Sequence, residues 1–125
     1  MKIFRSYRSF SNLITSVTPL TAISPIDGRY AKACHPLRAY YSEYALMKYR
    51  VYVELQWFKC LFEEKIVTQD AKLVDKVKDS NEWLDSVFEQ FSVEDGERVK
   101  EIERTTNHDV KAIEYFLKEK FEQNE

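Results

Sequence analysis

The chain is 125 residues long, and its 19 Lys and Arg nearly balance its 21 Asp and Glu, for a formal net charge of −2. That balance excludes a strongly basic nucleic-acid binder as the default reading, and 44% hydrophobic residues argue against a disordered chain. Only 2 Gly and 3 Pro occur beside 8 Tyr, 8 Phe and 2 Trp. An average chain of this length holds about 15 Gly and Pro together, so long helices are predicted. A Gly-rich phosphate loop or dinucleotide fingerprint is excluded, because each needs several glycines in one place.

Length predicts one domain at most. Cys34 and Cys60 form no CxxC pair, so neither a structural zinc site nor a disulfide scaffold is expected. No run approaches 18 apolar residues, so no membrane span is expected. Residues 1–19 differ from the rest: Lys2, Arg5 and Arg8 stand among Ser and Thr, and the first acidic residue is Asp27. Arg and Ser without acids is the composition of an organellar transit peptide; the other reading is a disordered extension without an address.

From residue 20 onward the elements follow in order. Pro19 and Pro25 bracket an extended segment, and Asp27-Gly28 predicts a turn, Gly tolerating φ > 0 and Asp bonding its own backbone. Pro36 opens a short helical turn. The strongest helix runs from Ser42 to about Lys65, where Tyr44, Met47, Val51, Leu55, Phe58 and Phe62 share one face. Leu46, Tyr49, Val53, Trp57 and Leu61 widen that face, so a second covering surface is expected. Thr68 is expected to cap a helix through Leu73, Val74 and Val77. Ser80 or Asn81 caps the next, which carries Leu84, Val87, Phe88 and Phe91. Ser92 with Asp95 fits a capping box, and Thr106 with Asp109 fits another before Val110, Ile113, Leu117 and Phe121. No strand pattern of useful length appears, so the fold class is all-α with an irregular N-terminal arm.

Two polar clusters carry the candidate chemistry. In the first, a turn on Asp27-Gly28 presents Arg29 and Tyr30. An Arg fork suits carboxylate or phosphate, and Tyr adds a hydroxyl and a stacking face; the plain alternative is surface packing. In the second, Thr105 to Asp109, a helix N-terminus with free N–H groups and a positive dipole end makes an anion site. Asn107 and His108 add donors, a histidine there could bind an anion or move a proton, and Asp109 serves the cap. The alternative is an ordinary capping box with an exposed His. His35 reads as a surface residue. No Ser-His-Asp or Cys-His arrangement is visible, and the acidic run from Glu94 to Glu103 reads as a solvent face.

The segments LTAISPIDGRY (Leu20 to Tyr30), SEYALMKYRVYVELQW (Ser42 to Trp57) and IERTTNHDVKAIEYFLKEK (Ile102 to Lys120) closely resemble the N-terminal part of adenylosuccinate lyase, of the bacterial and plant type within the fumarase/aspartase superfamily. The resemblance covers residues 20–125. It implies the N-terminal helical domain of that lyase fold, and elimination of fumarate from adenylosuccinate and from the succinyl-carboxamide imidazole ribotide, without metal or organic cofactor. It implies a nucleotide substrate contacted by Arg29, Tyr30, Asn107, His108 and Asp109, with His108 assisting proton transfer. The family works as a homotetramer, with no nucleic-acid or membrane partner. The location implied is cytoplasmic, or plastid or mitochondrial if residues 1–19 are a transit peptide.

The family's acid His and the base Ser of its Gly-Ser-Ser loop lie beyond the segment that this chain resembles. The capless end at Glu125 fits the front portion of a longer enzyme, inactive alone. The competing expectations are a free-standing helical interaction module derived from that domain, and an unrelated helical protein with accidental similarity.

Overall fold

A computed structural model describes residues 17–124, and the chain divides into two compact units, one ending at Ala39 and one beginning at Tyr40. The expected leader, residues 1–19, therefore lies outside the described residues except for its last three. In the first unit, Thr18 and Thr21 cross-bond: the Thr18 N–H donates to Thr21 Oγ1 at 2.7 Å, and the Thr21 N–H donates to the Thr18 carbonyl at 3.0 Å. After a turn through Tyr30, the chain forms α1 (Ala31–Cys34) and a 3₁₀ turn (His35–Leu37) in its first positions opened by Pro36. Helix α2 (Arg38–Tyr41) leads into the second unit.

The second unit is built on α3 (Glu43–Glu63), where Ser42 Oγ accepts the Ala45 N–H at 3.1 Å as N-cap. The helical spacing of its apolar residues puts Met47, Val51 and Leu55 at 6%, 0% and 1% exposure. The stripe that widens the face stays open: Leu46, Val53 and Trp57 are 47%, 60% and 55% exposed. Lys65, at φ 55°, ends the helix. Its N–H reaches the Phe62 carbonyl and the Ile66 N–H reaches the Leu61 carbonyl, which is the Schellman pattern with Lys where Gly is usual.

Helix α4 (Ala71–Asp79) is capped by Asp70, whose Oδ1 accepts the Lys72 N–H at 2.9 Å. The expected cap, Thr68, instead accepts the Asp70 N–H through its hydroxyl. Helix α5 (Asn81–Glu89) follows at once, and its N-cap, Ser80, gives it no side-chain bond; the Ser80 hydroxyl donates back to the Lys76 carbonyl and closes α4. Helix α6 (Val93–Thr106) starts with the expected capping box of Ser92 and Asp95, and α7 is Asp109–Glu122. No strand occurs among the described residues, so the all-α expectation holds.

The core gathers Val51 and Leu55 of α3, Leu84 of α5, Val99 of α6, and Ile113 and Phe116 of α7, each at 2% exposure or less. Each such side chain contributes about 1.5–3 kcal/mol by leaving water. Phe91, in the α5–α6 link, packs edge-on to Phe116 at 5.6 Å, and the Tyr44 hydroxyl donates to its carbonyl at 2.5 Å. Along the outer edge of the α6–α7 pair, the Arg98 fork bonds both Glu119 oxygens at 3.0 and 2.6 Å. Two antiparallel helices so fixed leave only Asn107 and His108 to make the corner between them.

Candidate functional site

The first cluster is a chain of local hydrogen bonds. The Ser24 N–H donates to Asp27 Oδ1 at 2.9 Å and the Ile26 N–H to Ser24 Oγ at 3.1 Å. The Gly28 N–H returns to the Ser24 carbonyl at 3.0 Å and the Tyr30 N–H to the Pro25 carbonyl at 2.8 Å. Gly28 is needed here for a reason other than the positive φ expected of it, since no glycine has positive φ. A Cβ on Gly28 would lie 2.7 Å from the Pro19 carbonyl oxygen and 3.1 Å from that of Ser24. Next to this tight point, the Arg29 guanidinium sits over the Tyr30 ring at 4.7 Å. Tyr30 is 49% exposed, and Arg29 makes no ion pair among the described residues. The turn thus offers a charged fork and a phenol side by side to solvent.

The second cluster corrects the expected cap. Thr106 is the last residue of α6, not the N-cap of α7. Asn107 follows at φ 49° and ψ 34°, the left-handed region, and its N–H donates to the Glu103 carbonyl at 2.8 Å. Asn tolerates that conformation better than most residues because its short polar side chain finds local partners. His108 then extends at φ −151° and caps α7 itself: its Nδ1 accepts the Lys111 N–H at 3.1 Å. The Thr106 hydroxyl clasps the corner from below, donating to the His108 carbonyl at 3.1 Å.

Two chemical consequences follow from these bonds. Because Nδ1 accepts, the neutral imidazole carries its proton on Nε2. His108 therefore presents an N–H donor outward, suited to phosphate, carboxylate or carbonyl oxygen. Asp109 has both oxygens engaged: Oδ1 accepts the Val110 N–H at 2.8 Å and Oδ2 pairs with Arg50 at 2.6 Å. The Val110 N–H first, and the Arg50 guanidinium with it, hold the Asp109 carboxyl below the ordinary carboxylate range. A carboxylate so placed orients its neighbours and is a poor base.

Sequence reasoning missed Arg50. It lies between Tyr49 and Val51 in an over-apolar helix, 59 positions before its partner, and its one signal was a charge set beside a buried face. Asn107, His108 and Asp109 are brought together at one corner of the second unit, and Arg29 and Tyr30 at one turn of the first. Among the described residues, no three His, Cys, Asp or Glu side chains gather as metal ligands, and no helix is long and apolar enough to cross a membrane.

Among the described residues the regular structure is all helical, and two polar corners, Arg29–Tyr30 and Asn107–Asp109, face solvent. No family model matches the chain. It is 50% identical over 109 residues to an adenylosuccinate lyase of Haemophilus influenzae, covering 87% of this chain and 23% of the relative. It is 47% identical over 104 residues to the adenylosuccinate lyase of Escherichia coli K12, covering 83% and 22%. It is 48% identical over 101 residues to that of Dictyostelium discoideum, covering 81% and 21%. The chain spans less than a quarter of the length of the curated relatives it matches. Over 81–87% of its length, the chain is similar to adenylosuccinate lyases.

Proposed function

We propose that this chain supplies part of the substrate-binding wall of an adenylosuccinate lyase, which breaks a C–N bond to release fumarate from adenylosuccinate, leaving AMP, and likewise from the succinyl-carboxamide imidazole ribotide. The observation that carries the reading is the corner at Asn107–His108–Asp109, where a histidine caps a helix through Nδ1 and turns its Nε2–H outward. A substrate with phosphate and two carboxylates needs such fixed donors. Arg29 and Tyr30 act at the phosphate end, since a guanidinium fork matches phosphate oxygens in pairs. Asn107 and His108 contact the substrate beside the α7 N-terminus, where the helix dipole favours negative charge. Asp109 holds the corner.

β-Elimination also needs a base to take a proton from the carbon next to the one that bears the departing nitrogen, and an acid to protonate that nitrogen. In this chain, His108 donates from Nε2, and Asp109 has both oxygens engaged and a lowered proton affinity, so neither serves as the carbon base. The chain alone is therefore inactive, and the full enzyme works as a homotetramer in the cytoplasm, or in an organelle if residues 1–19 act as a transit peptide. A direct test replaces the matching segment of the E. coli enzyme with residues 20–124 of this chain and then introduces Arg29→Ala. Loss of a charge-assisted phosphate contact predicts a fall in kcat/KM of about 100-fold, equivalent to about 3 kcal/mol. An unchanged kcat/KM would overturn the assignment.

A further inference from the structure

We propose that Arg50 is a positioning residue for the Asn107–His108 corner and that it acts through Asp109. The proposal deepens the substrate-wall reading and rests on it for its meaning in catalysis. Its geometry stands independently: α6 ends at Thr106, α7 begins at Asp109, and the two residues between them take conformations that neither helix dictates. Asn107 is left-handed, a conformation uncommon outside glycine though one that Asn tolerates. Local support comes from the Thr106 hydroxyl and the Asn107 N–H bond to Glu103. The support from a third helix is the Arg50 to Asp109 pair at 2.6 Å.

Position explains why this pair steers the corner. Arg50 projects from the middle of α3, next to Val51, which is 0% exposed, so its backbone is anchored in the core. Asp109 is the first residue of α7 and the next after the capping histidine. Its Oδ1 holds the Val110 N–H while its Oδ2 holds Arg50, so the carboxylate fixes the start of α7 and ties it to α3 at once. His108 Nδ1 lies 3.8 Å from Asp109 Oδ1. Any swing of the carboxylate therefore moves charge beside the imidazole and disturbs the tautomer set by the Lys111 bond. The side chains of Arg50 and Asp109 are 29% and 48% exposed, and half-exposed pairs add little to global stability. Orientation of the corner is what this pair contributes.

The experiment uses the full 125-residue chain labelled with ¹⁵N. In the wild type, the His108 ring reports a non-protonated Nδ1 and a protonated Nε2, and residues 106–110 are as ordered as the helices. Arg50→Ala should mix the two tautomers and raise fast backbone motion at 106–110, while amide shifts around Val51, Leu55 and Ile113 stay in place. Its melting temperature should fall by no more than about 4 °C, as expected of a half-exposed ion pair. Arg50→Lys, which keeps the charge, should restore the wild-type ring signature at least in part. In an Asp109→Asn background, Arg50→Ala should add no further change. The proposal is overturned if Arg50→Ala leaves the ring and residues 106–110 as they were. It is equally overturned if its effect persists undiminished beside Asp109→Asn, or spreads through the core. None of these readouts depends on turnover, so the proposal and the lyase reading fail separately.

Discussion

His108 does two jobs in this account, and substitutions separate them. As N-cap of α7 it accepts the Lys111 N–H at 3.1 Å through Nδ1. His108→Ala removes that acceptor, and the exposed N–H turns to water, so the expected loss is about 1 kcal/mol of unfolding free energy. In a domain of 60–100 residues, 1 kcal/mol moves the melting temperature by about 4–8 °C. His108→Asn gives a different result. Asn is among the strongest N-cap residues, so His108→Asn should melt at or above the wild-type temperature. Thermal unfolding of the two variants followed by helical circular dichroism makes the comparison. Placed in the segment-swapped enzyme, both substitutions should lower kcat/KM, because only the imidazole carries an outward Nε2–H. If His108→Asn destabilised the chain as much as His108→Ala, the histidine would not be acting as a cap. If His108→Asn kept full activity, the histidine would be a cap and nothing more.

Three further outcomes test the fold around this site. Gly96 lies at the end of the first turn of α6, where an added Cβ would meet Met47 and Tyr44 side chains at 3.5 and 3.6 Å; ordinary contact and lost chain entropy predict that Gly96→Ala stabilises by about 0.5–1 kcal/mol, checked by urea midpoint. Lys65→Gly should stabilise by about 1 kcal/mol on the same assay, by relieving a left-handed lysine at φ 55°. On the acid side, Asp95, Asp109 and Glu119 all sit below their ordinary values of 3.8 and 4.5. At Asp95 burial opposes ionisation, but the Ser92 N–H and the Lys120 ammonium outweigh it; at Glu119 the Arg98 fork dominates. Depressed carboxylates bind fewer protons folded than unfolded, so their stabilisation is complete above those ordinary values and is lost as the pH falls through and below them. Melting temperatures measured from pH 7 to 2 should hold level to about pH 5 and then decline, and a rise on acidification would contradict the ion pairs described.

The long helix was legible because Met47, Val51 and Leu55 repeat at helical spacing, and burial follows that repeat whatever the neighbours are. The box at Ser92 and Asp95 was legible because it needs only residues three apart. The cap of α7 was not. Thr106, Asn107 and Asp109 are all capping types and His108 is not, yet the left-handed turn at Asn107, which closes α6 two residues before α7 opens, makes His108 the cap. Gly28 was recognised as a turn residue for the wrong reason, since what it avoids is the Pro19 carbonyl, a contact set by a backbone fold nine residues away. Asp70 displaced Thr68 as a cap because the Thr68 hydroxyl was taken by the Asp70 N–H. Arg50 was silent in the sequence because its partner comes from a helix that pairing rules along one chain segment do not reach. The stripe through Leu46, Val53 and Trp57, by contrast, was legible as a widening of the apolar face, and among the described residues it stays exposed.

The most direct measurement is fumarate release by the E. coli enzyme in which residues 20–124 of this chain replace the matching segment, followed by absorbance with adenylosuccinate as substrate. If the chain carries the family's substrate wall, the swapped enzyme retains turnover within about tenfold, a change of about 1.4 kcal/mol in barrier, and the 125-residue chain alone shows none. A swapped protein that assembles and melts like the parent but releases no fumarate would contradict the account.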